Sequence, residues 1–119
     1  MNRRALSAFL IAFAMGAAIW ALSPVLTGHA EPWDAEGVMY FVSLAVAGMI
    51  TGALVPRPLW AHYLGAVLGQ LTYELIFLKL GPLVLVGALF LLGYSLLFLA
   101  GAAIAAHVRL HFTAGSSAA

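Results

Sequence analysis

The chain contains no cysteine, which excludes disulfides, thiolate metal sites, iron–sulfur clusters and cysteine nucleophiles. Charge is nearly absent as well. Five basic and four acidic residues among 119 make 8% of the chain, where soluble domains carry roughly 25%. A net charge of +1 is too small for a polyanion-binding field, and the basic residues are scattered along the sequence, so nucleic acid is not an expected partner. There is no serine–histidine–acid grouping, no glycine-rich phosphate loop and no metalloprotease helix motif, so the chain is not expected to be an enzyme. No internal repeat is visible, which removes the inverted-repeat argument for a transporter.

What the sequence does have is apolar surface: 65% of its residues are hydrophobic. A small soluble fold buries only about 60 to 70% of the surface its unfolded chain exposes, and the remainder here would be adhesive. A bilayer removes that difficulty. Crossing its hydrocarbon layer takes about 20 mostly apolar residues, and four segments qualify, at 5–27, 37–55, 59–78 and 83–106. Pro56 and Pro58 bracket Arg57, and Gly81 precedes Pro82, so the second and third breaks are short helix stops and restarts. Sequence neighbours must therefore run antiparallel. The expected fold is an all-α integral membrane protein, a single four-transmembrane-helix antiparallel bundle over residues 1–112, followed by a flexible tail at 113–119.

The first segment also has the look of a secretory signal, with Arg3 and Arg4 ahead of it and small residues near Gly28 and Ala30. Its apolar stretch exceeds the 7 to 15 residues usual for such signals, so retention as a span is the expected reading. With both termini inside, Arg3, Arg4, Arg57 and Arg109 all face the cytoplasm and only Lys79 lies outside, which fits the positive-inside rule. Trp20, Trp33 and Tyr40 then fall near the outer interface and Trp60 and Tyr63 near the inner one. The expected location is a bacterial inner (cytoplasmic) membrane.

Helices in lipid associate largely through small residues that let backbones approach. Ala5, Ala8, Ala12, Gly16 and Ser23 make such a stripe on the first span, Ala45, Gly48 and Gly52 on the second, Gly65 and Gly69 on the third, and Gly87, Tyr94, Gly101 and Ala105 on the fourth. Compact packing inside one chain is the expected use of the two Gly-x-x-x-Gly pairs.

The third span carries the polar chemistry. Tyr63, Val67, Gln70 and Glu74 share one stripe, with Gly65, Gly69 and Thr72 opposite, so neither side is built for lipid alone. Glu74 is the only carboxylate inside a span, and an unpaired charge near mid-bilayer costs about 2.5 to 3.5 kcal/mol. Protonation, pairing with Gln70 and with Tyr94 or Ser95, or reaching toward Lys79 are its three escapes. Tyr63, Gln70, Glu74, Tyr94 and Ser95 are accordingly the expected partner-contact or pathway residues. His62 and His107 share a depth at which two imidazoles are able to ligate haem, but interfacial histidines are the expected reading, with His107, His111 and Arg109 forming a cationic cytoplasmic end. His29, Glu31, Asp34 and Glu36 are expected in a solvated loop, with Asp34 capping the second span and no metal bound. Bound lipid is the expected ligand, with haem or quinone a lesser alternative.

These features point to a non-catalytic accessory or scaffold subunit of a larger membrane protein complex. Its partners are membrane lipids and other subunits, or further copies of itself. The alternative is a small oligomeric transporter or channel using Glu74 and Gln70 in a membrane pathway.

Overall fold

The computed structural model describes residues 2–27, 39–77 and 84–118. They form four α-helices, with no strand among them: α1 Arg3–Thr27, α2 Met39–Leu54, α3 Leu59–Phe77 and α4 Val84–Ala118. The expectations for His29, Glu31, Trp33, Asp34, Glu36, Lys79, Gly81 and Pro82 fall outside the described residues. At the start of α1 the Ala5 amide donates to Asn2 Oδ1 over 2.8 Å, an N-cap that satisfies one of the helix's orphan donors. Pro24 sits in the last turns of α1, where its missing N–H removes only one intrahelical bond. Pro58 opens α3, with the Ala61 amide donating to its carbonyl at 3.2 Å; the Arg57–Pro58 peptide is cis.

Two helical stretches, Arg3–Val25 and Leu85–Phe112, are long and apolar enough to cross a membrane. The other two fall short of that standard for different physical reasons. The described α2 has 16 residues, which at 1.5 Å per residue spans about 24 Å against a hydrocarbon layer of roughly 30 Å. The 19 residues of α3 include His62, Gln70 and Glu74, which lower its apolar character. All three are buried, at 0%, 0% and 6% exposure. The fourth helix runs past the expected span end at Ala106, and its backbone continues through the segment set aside as a tail as far as Ala118.

The closest packing joins α1 to α3 and α2 to α4, with lesser contacts between α3 and α4 and between α1 and α2. Glycines explain why. A Cβ on Gly65 would strike the Phe9 carbonyl and one on Gly69 the Phe13 carbonyl, while Gly48 meets the Phe98 carbonyl and Gly52 that of Ala102. In each case the register rises in step along both helices, so both tight pairs are parallel. Gly16 and Gly101 complete them from the opposite sides: a Cβ at Gly16 would lie 2.6 Å from the Ala66 carbonyl, and one at Gly101 would strike the Ala45 carbonyl. The stripe Ala5, Ala8, Ala12, Gly16 and Ser23 is buried along its length. On α4 the most deeply buried line is Leu91, Ser95, Phe98 and Ala102; Gly101 is buried beside it, whereas Gly87 and Tyr94 are half-buried.

Candidate functional site

Gln70 joins all four helices. It lies on α3 with no exposed surface. Its Oε1 accepts hydrogen bonds from Trp20 Nε1 on α1 at 2.9 Å and from the Tyr40 hydroxyl on α2 at 2.6 Å. Its Nε2 donates to Ser95 Oγ on α4 at 2.9 Å and to the Ala66 carbonyl one turn back at 3.1 Å. The indole nitrogen is a donor only, so the orientation of the amide is fixed by chemistry. A side-chain amide has two donor hydrogens and two acceptor lone pairs, and here each has a partner.

Around this centre the core is mixed in character. Trp20 packs with Val67 and Leu91, and Tyr40 packs with Leu44, Ala66 and Phe98. Tyr40 and Tyr94 meet edge to face at 5.8 Å between ring centroids, and Tyr94 stacks on Phe90 at 6.0 Å. Glu74, one turn beyond Gln70, is buried at 6% exposure. Tyr63 is half-buried and donates its hydroxyl to the Leu92 carbonyl of α4 at 2.6 Å. The stripe Tyr63, Val67, Gln70, Glu74 therefore turns inward, and Gly65 and Gly69 are buried against α1.

The residues singled out from sequence are thus gathered only in part. Gln70 and Ser95 are bonded to each other, and Tyr94 lies beside them through Tyr40. The two residues that sequence reasoning missed are Trp20 and Tyr40, taken there as outer interface anchors and here buried at 0% and 3% exposure. A depth count was able to find them. From Arg4 to Trp20 is 16 residues, from Tyr40 to Leu54 is 14, from Arg57 to Gln70 is 13 and from Ser95 to Arg109 is 14. All four side chains therefore start from similar heights above the basic end.

The histidines occupy different environments. His62 is fully buried, and its Nε2 lies 2.6 Å from the Val55 carbonyl, so that nitrogen carries the proton and donates. His107 is exposed and stacks on His111 with centroids 6.4 Å apart. Among the described residues no group of three or more histidine, cysteine or acidic side chains is placed to hold a metal ion. Arg109 Nη1 donates to the Ala53 and Leu54 carbonyls at 2.6 and 2.9 Å, capping the C-terminus of α2 with a cation where the helix dipole favours one. No family model, curated protein or solved structure matches this chain.

Proposed function

We propose that the chain is a membrane-embedded bundle whose four helices all cross the bilayer, with both termini cytoplasmic, and that it serves as a non-catalytic accessory or scaffold subunit of a larger membrane complex. The observation that carries this reading is the Gln70 centre. The amide buried at the meeting point of the helices is used to join them, with all four of its positions bonded inside the chain. A pathway needs polar groups left available to a passing ion, whereas a scaffold needs a rigid core and an apolar exterior.

The exterior fits. Val25, Ile76, Phe77, Leu85, Leu89 and Phe90 are all more than half exposed, a surface suited to acyl chains and to the helices of neighbouring subunits. The polar content of α3 is compatible with crossing, because its polar side chains are covered by the other helices. His62, Gln70 and Glu74 need not face lipid.

Purification from mild detergent with identification of co-purifying chains tests the role. Stoichiometric membrane partners are the expected result, and a lone monomer that remains alone after gentle extraction would overturn it. Liposomes supply the second arm: vesicles containing the wild-type chain or Glu74→Gln should show ion and proton flux equal to empty vesicles. Flux through wild type that Glu74→Gln abolishes would establish the transporter alternative instead.

A further inference from the structure

Four of the five basic residues of the chain meet in one place. Arg3 and Arg4 at the start of α1, Arg57 in the α2–α3 connection and Arg109 near the end of the apolar part of α4 line a recess of about 400 Å³. None of its nine lining residues is acidic. Four guanidinium groups sharing one recess carry charge of one sign and repel one another. A bound anion turns that repulsion into attraction. Arg109 is held in place by the two α2 carbonyls it caps through Nη1, which leaves its Nε and Nη2 hydrogens for another acceptor. The positive end of the α1 dipole lies at the same recess.

We propose that this recess binds the phosphate of an anionic phospholipid headgroup. Guanidinium forks match phosphate oxygens in geometry as well as charge. The lipid source is favoured over a free anion by what borders the arginines. Leu54 and Leu110, 58% and 38% exposed, line the same recess and offer an apolar rim to the first acyl carbons. A neighbouring recess shares Arg4 and Arg57 and includes Trp60, an exposed aromatic of the kind that sits at headgroup level. Scattered in sequence, the arginines are gathered by the fold. The inference rests on the membrane-embedded reading but not on the accessory role.

The test uses detergent-purified protein, because removing arginines from a nascent chain is able to reverse its insertion. The protein is reconstituted into nanodiscs of phosphatidylcholine with a minor share of phosphatidylglycerol, re-extracted, and its retained lipid is measured by native mass spectrometry. Phosphatidylglycerol should be retained preferentially over phosphatidylcholine. Arg4→Gln with Arg57→Gln should lower that preference about tenfold, while Arg4→Lys with Arg57→Lys should keep most of it. Equal retention of the two lipids, or a preference that survives the glutamine pair, would overturn the site. Displacement of the lipid by millimolar inorganic phosphate would overturn the lipid assignment and make the site one for a soluble anion. Failure to enter nanodiscs at all would instead sink the membrane reading, so the two failures are separable.

Discussion

At the scale of single residues, an amide buried in an apolar interior is either fully bonded or a liability, since each orphaned donor or acceptor costs about 1 to 3 kcal/mol. Gln70 is fully bonded, so its removal strands others: Gln70→Leu leaves the Trp20 indole N–H, the Tyr40 hydroxyl and the Ser95 hydroxyl without their shared partner. Reversible unfolding in mixed micelles should show a loss of about 2 to 4 kcal/mol. Trp20→Phe removes one donor and keeps most of the ring, so it should cost about 1 kcal/mol, and combined with Gln70→Leu it should cost less than the sum. Additive losses would mean that the indole and the amide act independently. The sequence marked Gln70 as unusual, because a polar residue in an apolar run needs a reason. It hid the roles of Trp20 and Tyr40, because a tryptophan or tyrosine near a span end has a sufficient explanation in the interface. Only a comparison of heights across all four helices points to the interior one.

At the scale of elements, the two Gly-x-x-x-Gly pairs advertise flat faces without naming what lies on them. Gly65 and Gly69 receive α1, and Gly48 and Gly52 receive α4. Short connections dictated the antiparallel course of neighbouring helices, but the nearest backbone approach skips a helix, since it is chosen by the smallest side chains. Gly48→Ala and Gly69→Ala should each destabilise by about 1 to 3 kcal/mol, because the new methyl meets backbone that has no rotamer to yield. Gly93 is the control. Nothing lies within 4 Å of a Cβ there, so Gly93→Ala should be neutral or stabilising by up to about 1 kcal/mol through the lower entropy cost of helical alanine. The same unfolding assay compares all three, and a Gly93→Ala loss equal to the others would show that glycine flexibility, not close packing, is what matters. The end of α4 was not legible for a simple reason. An expected span stops where the bilayer stops, whereas a helix stops only where a breaker or a cap intervenes, and no proline follows Ala106.

At the scale of the whole molecule, the absence of cysteine is an experimental convenience: any cysteine introduced is unique. Single cysteines at Asn2 and Phe112 should react with an impermeant maleimide from the same side of sealed membrane vesicles, and both should be protected from it in intact cells. Labelling from opposite sides would leave an odd number of crossings and refute the four-span arrangement. Arg3, Arg4, Arg57 and Arg109 are collected at one recess of the particle, and the labelling decides which side of the membrane that end faces.

The skipped pairing has a consequence for how such a chain is made. A ribosome that has delivered α1 and α2 has supplied neither with the surface it fits best, since α1 awaits α3 and α2 awaits α4. Cutting the chain between Arg57 and Pro58 would therefore place both snug contacts, and the bonds of Gln70 to Trp20 and Tyr40, between the two fragments, leaving only its cross-helix bond to Ser95 within one. Each fragment expressed alone should be cleared by proteolysis, whereas the two co-expressed should interleave like the fingers of clasped hands and accumulate together. A biosynthetic intermediate of this kind has strong reason to wait for its second half before it commits to a shape.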